Sequence, residues 1–271
     1  MLNGKLEPAD RAMVPALDRG LTHGLGLYET LKLVDGVPVF FDEHETRLRK
    51  GLATLEIDLP EGSKELAGQI VHVAQAAQVP SGACRVLVTA GPPKGRPTLL
   101  IQVEVREFPD RPLRLVSHRA LRSTADLKSK SFTTSHLAMR AAKAAGADDA
   151  LFVDEEGRAH EATTANLFVS SGGRLITPPL DGSILPGVVR TKMLELGAAA
   201  GDPIAEAHVF ADRLGADDVV LLTSSVRGIV QAASLDGRPL KTDERLLAEL
   251  QERLRDAEAA SAARFRALYA G

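Results

Sequence analysis

The chain has 271 residues, 33 Lys plus Arg against 36 Asp plus Glu, one cysteine, and ten aromatic residues, eight Phe and two Tyr with no Trp. This length suits two ordinary domains or one large α/β unit. Balanced charge without a basic run excludes a nucleic-acid footprint, the scarcity of aromatics excludes a base-stacking platform, and one cysteine excludes an intrachain disulfide or a multi-cysteine metal site.

Met1 to Met13 carries Glu7, Asp10 and Arg11 without an apolar core, so it does not read as a secretory leader, and no later stretch approaches the ~18 consecutive apolar residues of a membrane span. A soluble, cytoplasmic protein is expected. Gly20 to Gly26 (GLTHGLG) lacks the spacing and the strand-turn-helix context of a dinucleotide loop and reads as a flexible loop. Leu27 to Phe41 holds two β-rich runs around Asp35-Gly36 and reads as a hairpin. Asp42 is placed to cap a helix through Leu48, Leu52 and Leu55, and Ser63 opens another running to about Gln78. Strands follow at Arg85 to Thr89, where Cys84 reads as a structural thiol, at Thr98 to Val105 and at Leu113 to Ser117. Residues 1–118 thus read as an α+β domain, with an antiparallel sheet and two helices.

The polar, basic stretch 119–130 is the expected interdomain connection, and 131–271 the second, larger α/β domain. There a helix from Thr134 to Ala145 ends at Gly146, and strands recur at Ala150 to Asp154, Asn166 to Ser170 and Arg174 to Thr177. A helix begins near Gly187, strands return at Val219 to Thr223 and Gly228 to Ala233, and a charged helix closes the chain from Asp243 to Tyr269.

P-loop, His-Glu-x-x-His and Gly-x-Ser-x-Gly motifs are absent. Three separated features remain: Lys128 at the domain connection, Glu161 just before a strand, and the Leu185-Pro186-Gly187 turn feeding a helix. Each alone reads as an ordinary surface group or turn. Together they are an amine, an acid and an anion site, which is what pyridoxal phosphate asks of a protein.

The segments DRGLTHGLGLYETLKL (18–33), DEHETRLRKGLATLEI (42–57), LKSKSFTTSHLAMRAAKAAGADDALFVDEEGRAHEATTANLF (127–168), LITPPLDGSILPGVVR (175–190) and DDVVLLTSSVRGIV (217–230) resemble the class IV aminotransferases, the fold-type IV pyridoxal-phosphate enzymes. That superfamily includes branched-chain and D-amino-acid aminotransferases, (R)-amine transaminases and aminodeoxychorismate lyase. It places its Schiff-base lysine ten residues before a small residue and eighteen before a glycine; Lys128 has Ala138 and Gly146 there, and Lys130 does not match.

The resemblance implies a small N-terminal α+β domain and a larger, barrel-like C-terminal α/β domain, with the cofactor cleft between them. It implies that Lys128 carries pyridoxal 5′-phosphate as an internal aldimine and then shuttles a proton between the substrate α-carbon and the cofactor. Glu161 would keep the pyridine nitrogen protonated. Arg47 would grip the 5′-phosphate with paired donors, joined by the backbone of Val188 and Val189 and the hydroxyls of Ser224 and Ser225. Tyr28 and Thr30 would line the substrate side, with Glu29 facing the other side of the strand; Tyr28 also suits a packing role.

Several positions depart from the family pattern: Leu25 stands in place of an aspartate, Ala90 in place of a carboxylate-binding arginine, Thr133 in place of a tyrosine, and Gln231-Ala232 in place of Pro-Val. Arg96 is the candidate replacement for the missing cation. The leading reading is a transaminase moving an amino group from an amino acid or amine to a keto acid or ketone. The alternatives are aminodeoxychorismate lyase, which Thr30 and Lys32 in YETLK resemble, and a non-catalytic carrier of the cofactor. Relatives are homodimers, so the same assembly is expected.

Overall fold

Asp18 organises the start of the chain: it accepts from the Gly20 N–H at 2.7 Å and opens the short helix α1 (Arg19–His23), while its other oxygen takes the hydroxyls of Thr89 and Thr98. Part of the expected GLTHGLG loop is therefore helical. The hairpin is present as β1 (Gly26–Val34) and β2 (Val37–Pro38), with Asp35 and Gly36 both at positive φ. Next come α2 (Phe41–Thr54), α3 (Ser63–Ala76), β3 (Gly82–Thr89) and β4 (Thr98–Glu104).

Asp42 does not cap α2. Phe40 holds that position at φ 54° without a side-chain cap, and its N–H instead donates to Ser261 Oγ at 2.7 Å. The carboxyl of Asp42 is occupied by Tyr269 and Arg264.

The second part of the chain adds β5 (Leu113–Arg119), α4 (Thr133–Ala144), β6 (Asp149–Val153), β7 (Arg158–Ala162), β8 (Asn166–Ser171), β9 (Arg174–Thr177) and α5 (Val188–Ala199). It ends with β10 (Ala205–Glu206), β11 (Val209–Phe210), β12 (Val219–Ser224), β13 (Gly228–Leu235), β14 (Arg238–Pro239) and α6 (Glu244–Tyr269). The computed structural model describes residues 1–109 and 111–269.

Two compact units result. The first comprises Met1–Glu107, Leu127–Ser131 and, among the described residues, 256–269; the second comprises Phe108–Asp126 and Phe132–Arg255. The strand read from sequence at Leu113 to Ser117, as part of the N-terminal sheet, lies in β5 and belongs to the second unit.

In the first unit the sheet order is β2-β1-β3-β4, antiparallel throughout. Its buried face carries Leu27, Leu31 and Leu33 of β1 with Val86 and Val88 of β3, packed against Leu48 and Leu52 of α2 and Leu66 and Ile70 of α3. Each such side chain contributes about 1.5–3 kcal/mol on burial. Cys84 is fully buried in this core, and burial pushes its thiol up to about 12.

In the second unit β8, β12, β13, β5, β6 and β7 follow one another, and β7 pairs back onto β8 at Glu161 and Asn166. The sheet thus closes into a six-stranded barrel filled by Leu113, Leu115, Leu151, Leu167, Val169, Val220 and Leu222. On its outside α4 packs Ala138 and Ala142 against Ala150 and Phe152. The small residue ten positions after Lys128 is therefore a helix-sheet contact. Strand β7 has no counterpart in the sequence reading, which set Glu161 before a strand; in the fold Glu161 lies within one.

Candidate active site

Residues 127–131 run beside the start of β1. Tyr28 N–H donates to the Lys128 carbonyl and Lys130 N–H to that of Gly26, both at 3.0 Å, with Leu27 bridged to Ser129. This brings Lys128 Nζ to 5.0 Å from the centre of the Tyr28 ring, with the Arg85 guanidinium 5.4 Å from the same centre. The amine of Lys130 is committed elsewhere, donating to Gly20 O at 2.6 Å.

Alternation along β1 leaves Tyr28, Thr30 and Lys32 half-buried on one face and buries Glu29 on the other. Thr30 lies opposite Arg85 in register. Arg96 is exposed in the loop that Gly91 closes: Gly91 has φ 63°, and a Cβ there would meet the Arg96 carbonyl oxygen at 1.9 Å. Ala90 gives its carbonyl to Arg19 Nη2 at 2.6 Å.

On the core side of β1, Glu29 takes Arg47 Nε at 2.8 Å, Arg47 Nη2 at 2.6 Å and His44 Nδ1 at 2.7 Å. Two of the donors of Arg47, the expected phosphate ligand, thus go to a carboxylate. Burial alone would raise Glu29, but the Arg47 guanidinium and then His44 outweigh it and hold the carboxyl well below its ordinary range. Burial lowers His44, so its Nδ1–H donates to Glu29, and its buried Nε2 has no hydrogen-bond partner among the described residues. Composition and spacing gave no warning of this cluster beyond the alternation of Glu29 with Tyr28.

In the second unit Glu161 is buried and held from three directions. Arg122 Nη2 donates to Oε1, while Asn166 Nδ2 at 3.3 Å and Leu185 N–H at 3.2 Å donate to Oε2. Asn166 also donates to Leu185 O at 2.9 Å, and it faces Thr223 across the β8–β12 ladder. Its side chain occupies the space beside Gly187, where a Cβ would meet Asn166 Oδ1 at 1.8 Å. Asn166 is thus the hub joining the acid, the Leu185-Pro186-Gly187 turn and β12.

Gly187 begins α5 with no side-chain cap, leaving the first-turn N–H groups at Val188 and Val189 without one. The first turn of α5 is anchored by buried Arg190, which donates to Pro178 O at 2.8 Å and pairs with Glu206. Ser224 ends β12 and Ser225 follows it, both half-buried; the buried Thr223 hydroxyl beside them has no partner among the described residues.

A helix start without a side-chain cap, hydroxyls at a strand end and a fixed carboxylate form a donor set that fits a phosphorylated pyridine. Asn166 appeared in the sequence only as the end of a motif. Arg122, 39 residues from its partner, carried no local signal at all. The Gln231 departure has a structural reason: its amide accepts from Asp243 N–H at 2.6 Å and donates to Asp243 O at 3.3 Å, fixing the entry to α6.

A cavity of about 760 Å³ in the first unit is lined in part by Arg85 and by none of the candidate site residues. Among the described residues no helix is long and apolar enough to cross a membrane, and no His/Cys/Asp/Glu group is arranged to hold a metal.

D-alanine aminotransferase of Bacillus licheniformis is 29% identical over 89% of each chain, and aminodeoxychorismate lyase of Bacillus subtilis is 26% identical over 87% of this chain and 86% of its own. The solved fold-IV transaminase of Curtobacterium pusillum superposes with a TM-score of 0.82 at 27% identity over 92% of both chains. The branched-chain aminotransferase of Thermoproteus uzoniensis gives 0.87 at 21% identity over 96% of this chain and 94% of its own, a likeness of fold alone. Residues 26–235 match the family Amino-transferase class IV, and the chain belongs to it: it is a member of a family of fold-type IV, pyridoxal-phosphate-dependent enzymes.

Proposed function

We propose that the protein is an aminotransferase that moves an amino group from an amino acid or amine to a keto acid or ketone, using pyridoxal 5′-phosphate anchored on Lys128. The observation that carries this is Glu161, an acid fixed by Arg122, Asn166 and Leu185 N–H beside the start of α5, within the matched family region.

When bound, the cofactor supplies a carbonyl for amines and a ring that takes up the electron pair left on the substrate α-carbon. Lys128 Nζ, over the Tyr28 ring, is the anchoring amine and, once displaced by the substrate amine, the base that carries the α-proton. Glu161 holds a proton at the ring nitrogen, and its three donors keep its oxygens oriented. The N–H groups of Val188 and Val189 and the hydroxyls of Ser224 and Ser225 bind the phosphate, and Arg47, oriented by Glu29, adds its charge. Tyr28, Thr30 and Arg96 serve the substrate. A homodimer in the cytoplasm completes the proposal, and light scattering on the purified protein tests the assembly.

The second reading, an aminodeoxychorismate lyase releasing pyruvate and 4-aminobenzoate, is favoured by Thr30 and Lys32 in YETLK and by the similarity to the Bacillus subtilis enzyme. One experiment separates the two. Purified holoenzyme mixed with an amino donor alone should lose the absorbance of lysine-bound cofactor, and a keto acid should restore it. Release of pyruvate from aminodeoxychorismate without an acceptor would replace the first reading by the second. Lys128→Ala should abolish the borohydride-trapped adduct; an adduct that persists would move the anchor to another lysine.

A further inference from the structure

The face of the first sheet that turns away from its core carries Tyr28, Thr30 and Lys32 of β1 together with Arg85 of β3 and Gln102 of β4. Arg85 sits in the middle of that face, opposite Thr30 on one side and Gln102 on the other. Its guanidinium lies 5.4 Å from the centre of the Tyr28 ring, and Lys128 Nζ lies 5.0 Å from the same centre. Among the described residues Arg85 is exposed and makes no hydrogen bond or ion pair.

The charges around it are taken. Lys32, two positions along β1 from Thr30, donates to Glu258 at 2.6 Å. Glu104, two positions along β4 from Gln102, pairs with Arg106, and Glu7, in the lining of the cavity that Arg85 borders, pairs with Lys5. Arg85 is thus a cation without a counter-ion, set on the same aromatic ring as the amine proposed to anchor the cofactor. A planar guanidinium with paired donors matches a carboxylate, and the shared ring keeps it within the span of one small substrate from Lys128.

Position separates Arg85 from Arg96. Cys84 and Val86, on either side of Arg85, are buried in the core and the strand is paired on both edges, so the guanidinium is presented from a rigid ladder. Arg96 is exposed in a loop, and ordering its side chain on binding would cost affinity.

We propose that Arg85 receives a carboxylate of the substrate, which makes amino acids and keto acids, rather than amines and ketones, the substrate class. This rests on the aminotransferase reading for the reaction and moves the substrate's cation from the loop to the strand. The capture of a carboxylate by Arg85 does not itself depend on that reading.

The test uses holoenzyme reduced with borohydride, which holds the cofactor on the chain and cannot turn over. It is titrated by calorimetry with α-ketobutyrate, with α-ketoglutarate and with butanone, in which a methyl group replaces the carboxylate of α-ketobutyrate. The wild type should bind butanone far more weakly than the keto acids. Arg85→Ala should weaken a keto acid about 10- to 100-fold, Arg85→Lys should recover part of that, and Arg96→Ala should match the wild type. A loss for both keto acids assigns Arg85 to the carboxylate beside the carbonyl; a loss confined to α-ketoglutarate assigns it to the far one. In turnover the loss should fall on KM for an amino acid donor, with kcat nearly unchanged, and should spare an amine donor. Keto acid affinity unchanged in Arg85→Ala, a loss seen in Arg96→Ala instead, or butanone bound as tightly as α-ketobutyrate overturns the proposal. So does an Arg85→Ala defect that extends equally to butanone. If borohydride traps no cofactor, the aminotransferase reading falls; keto acid binding to apoprotein that still depends on Arg85 then leaves the carboxylate site standing, and binding that does not depend on it removes both.

Discussion

Glu29 shows how one buried carboxylate can set the state of two neighbours. Its oxygens accept from Arg47, whose side chain is only 13% exposed, and fix the tautomer of His44. Glu29→Gln would keep the shape but remove the carboxylate charge that Arg47 Nε and Nη2 donate to, at a cost of about 3–5 kcal/mol, read as a lower urea midpoint at unchanged slope. The pH dependence has a definite sign. The folded-state carboxyl titrates below its ordinary range, so the contribution of the pair is complete above that range and is lost only as pH falls through the depressed value. The gap between wild type and variant should therefore be full at neutral pH and narrow only in strong acid. Equal midpoints at neutral pH would mean that the cluster is not an ion pair.

At the scale of elements, the last turns of α6 belong to the first unit and hold the start of α2. Phe265 is 2% exposed, 5.4 Å from the Phe41 ring centre and 5.1 Å from that of Tyr269, and the Tyr269 hydroxyl donates to Asp42 at 2.8 Å. Ser261 accepts the Phe40 N–H, and Glu258 pairs with Lys32 of β1. Because α2 carries His44 and Arg47, the C-terminal helix supports the Glu29 cluster from behind. Phe265→Ala should cost about 3–5 kcal/mol. The chain has two tyrosines, so in a Tyr28→Phe background alkaline absorbance reports Tyr269 alone. Burial, then Asp42, pushes that phenol up to about 12, and Phe265→Ala should bring its titration back toward the ordinary value of about 10. A titration that does not move would show that the ring cluster does not bury the phenol.

Across the whole molecule, what the sequence made legible was local. Asp35-Gly36, the Gly187 helix start and the charged C-terminal helix each carry their information locally, and each appears where the sequence reading put it. What escaped depends on contacts distant along the chain. Residues 127–131 lie against β1, β5 joins the barrel through β6 and β13, and Arg122 reaches Glu161, pairings that no window of propensity can see. Strand β7 escaped because Arg158-Ala159-His160-Glu161-Ala162 has none of the β-branched residues that mark a strand; its burial comes from barrel closure and its polar partners.

That closure makes the seam at Asn166 a sensitive point. Asn166→Asp is nearly isosteric, but it replaces two donated hydrogen bonds with a carboxylate facing Glu161 Oε2 and Leu185 O. Like charges at this spacing raise the affinity of the pair for a proton, so the variant should lose about 1–3 kcal/mol at neutral pH and recover part of it in mild acid as one proton is shared. Hydrogen exchange should quicken at the β7–β8 seam, and pyridoxal phosphate should bind more weakly because Glu161 and the Leu185 turn are no longer held together. A deficit that stays constant with pH would show that the loss is one of packing, and that Asn166 does not act on the charge of Glu161.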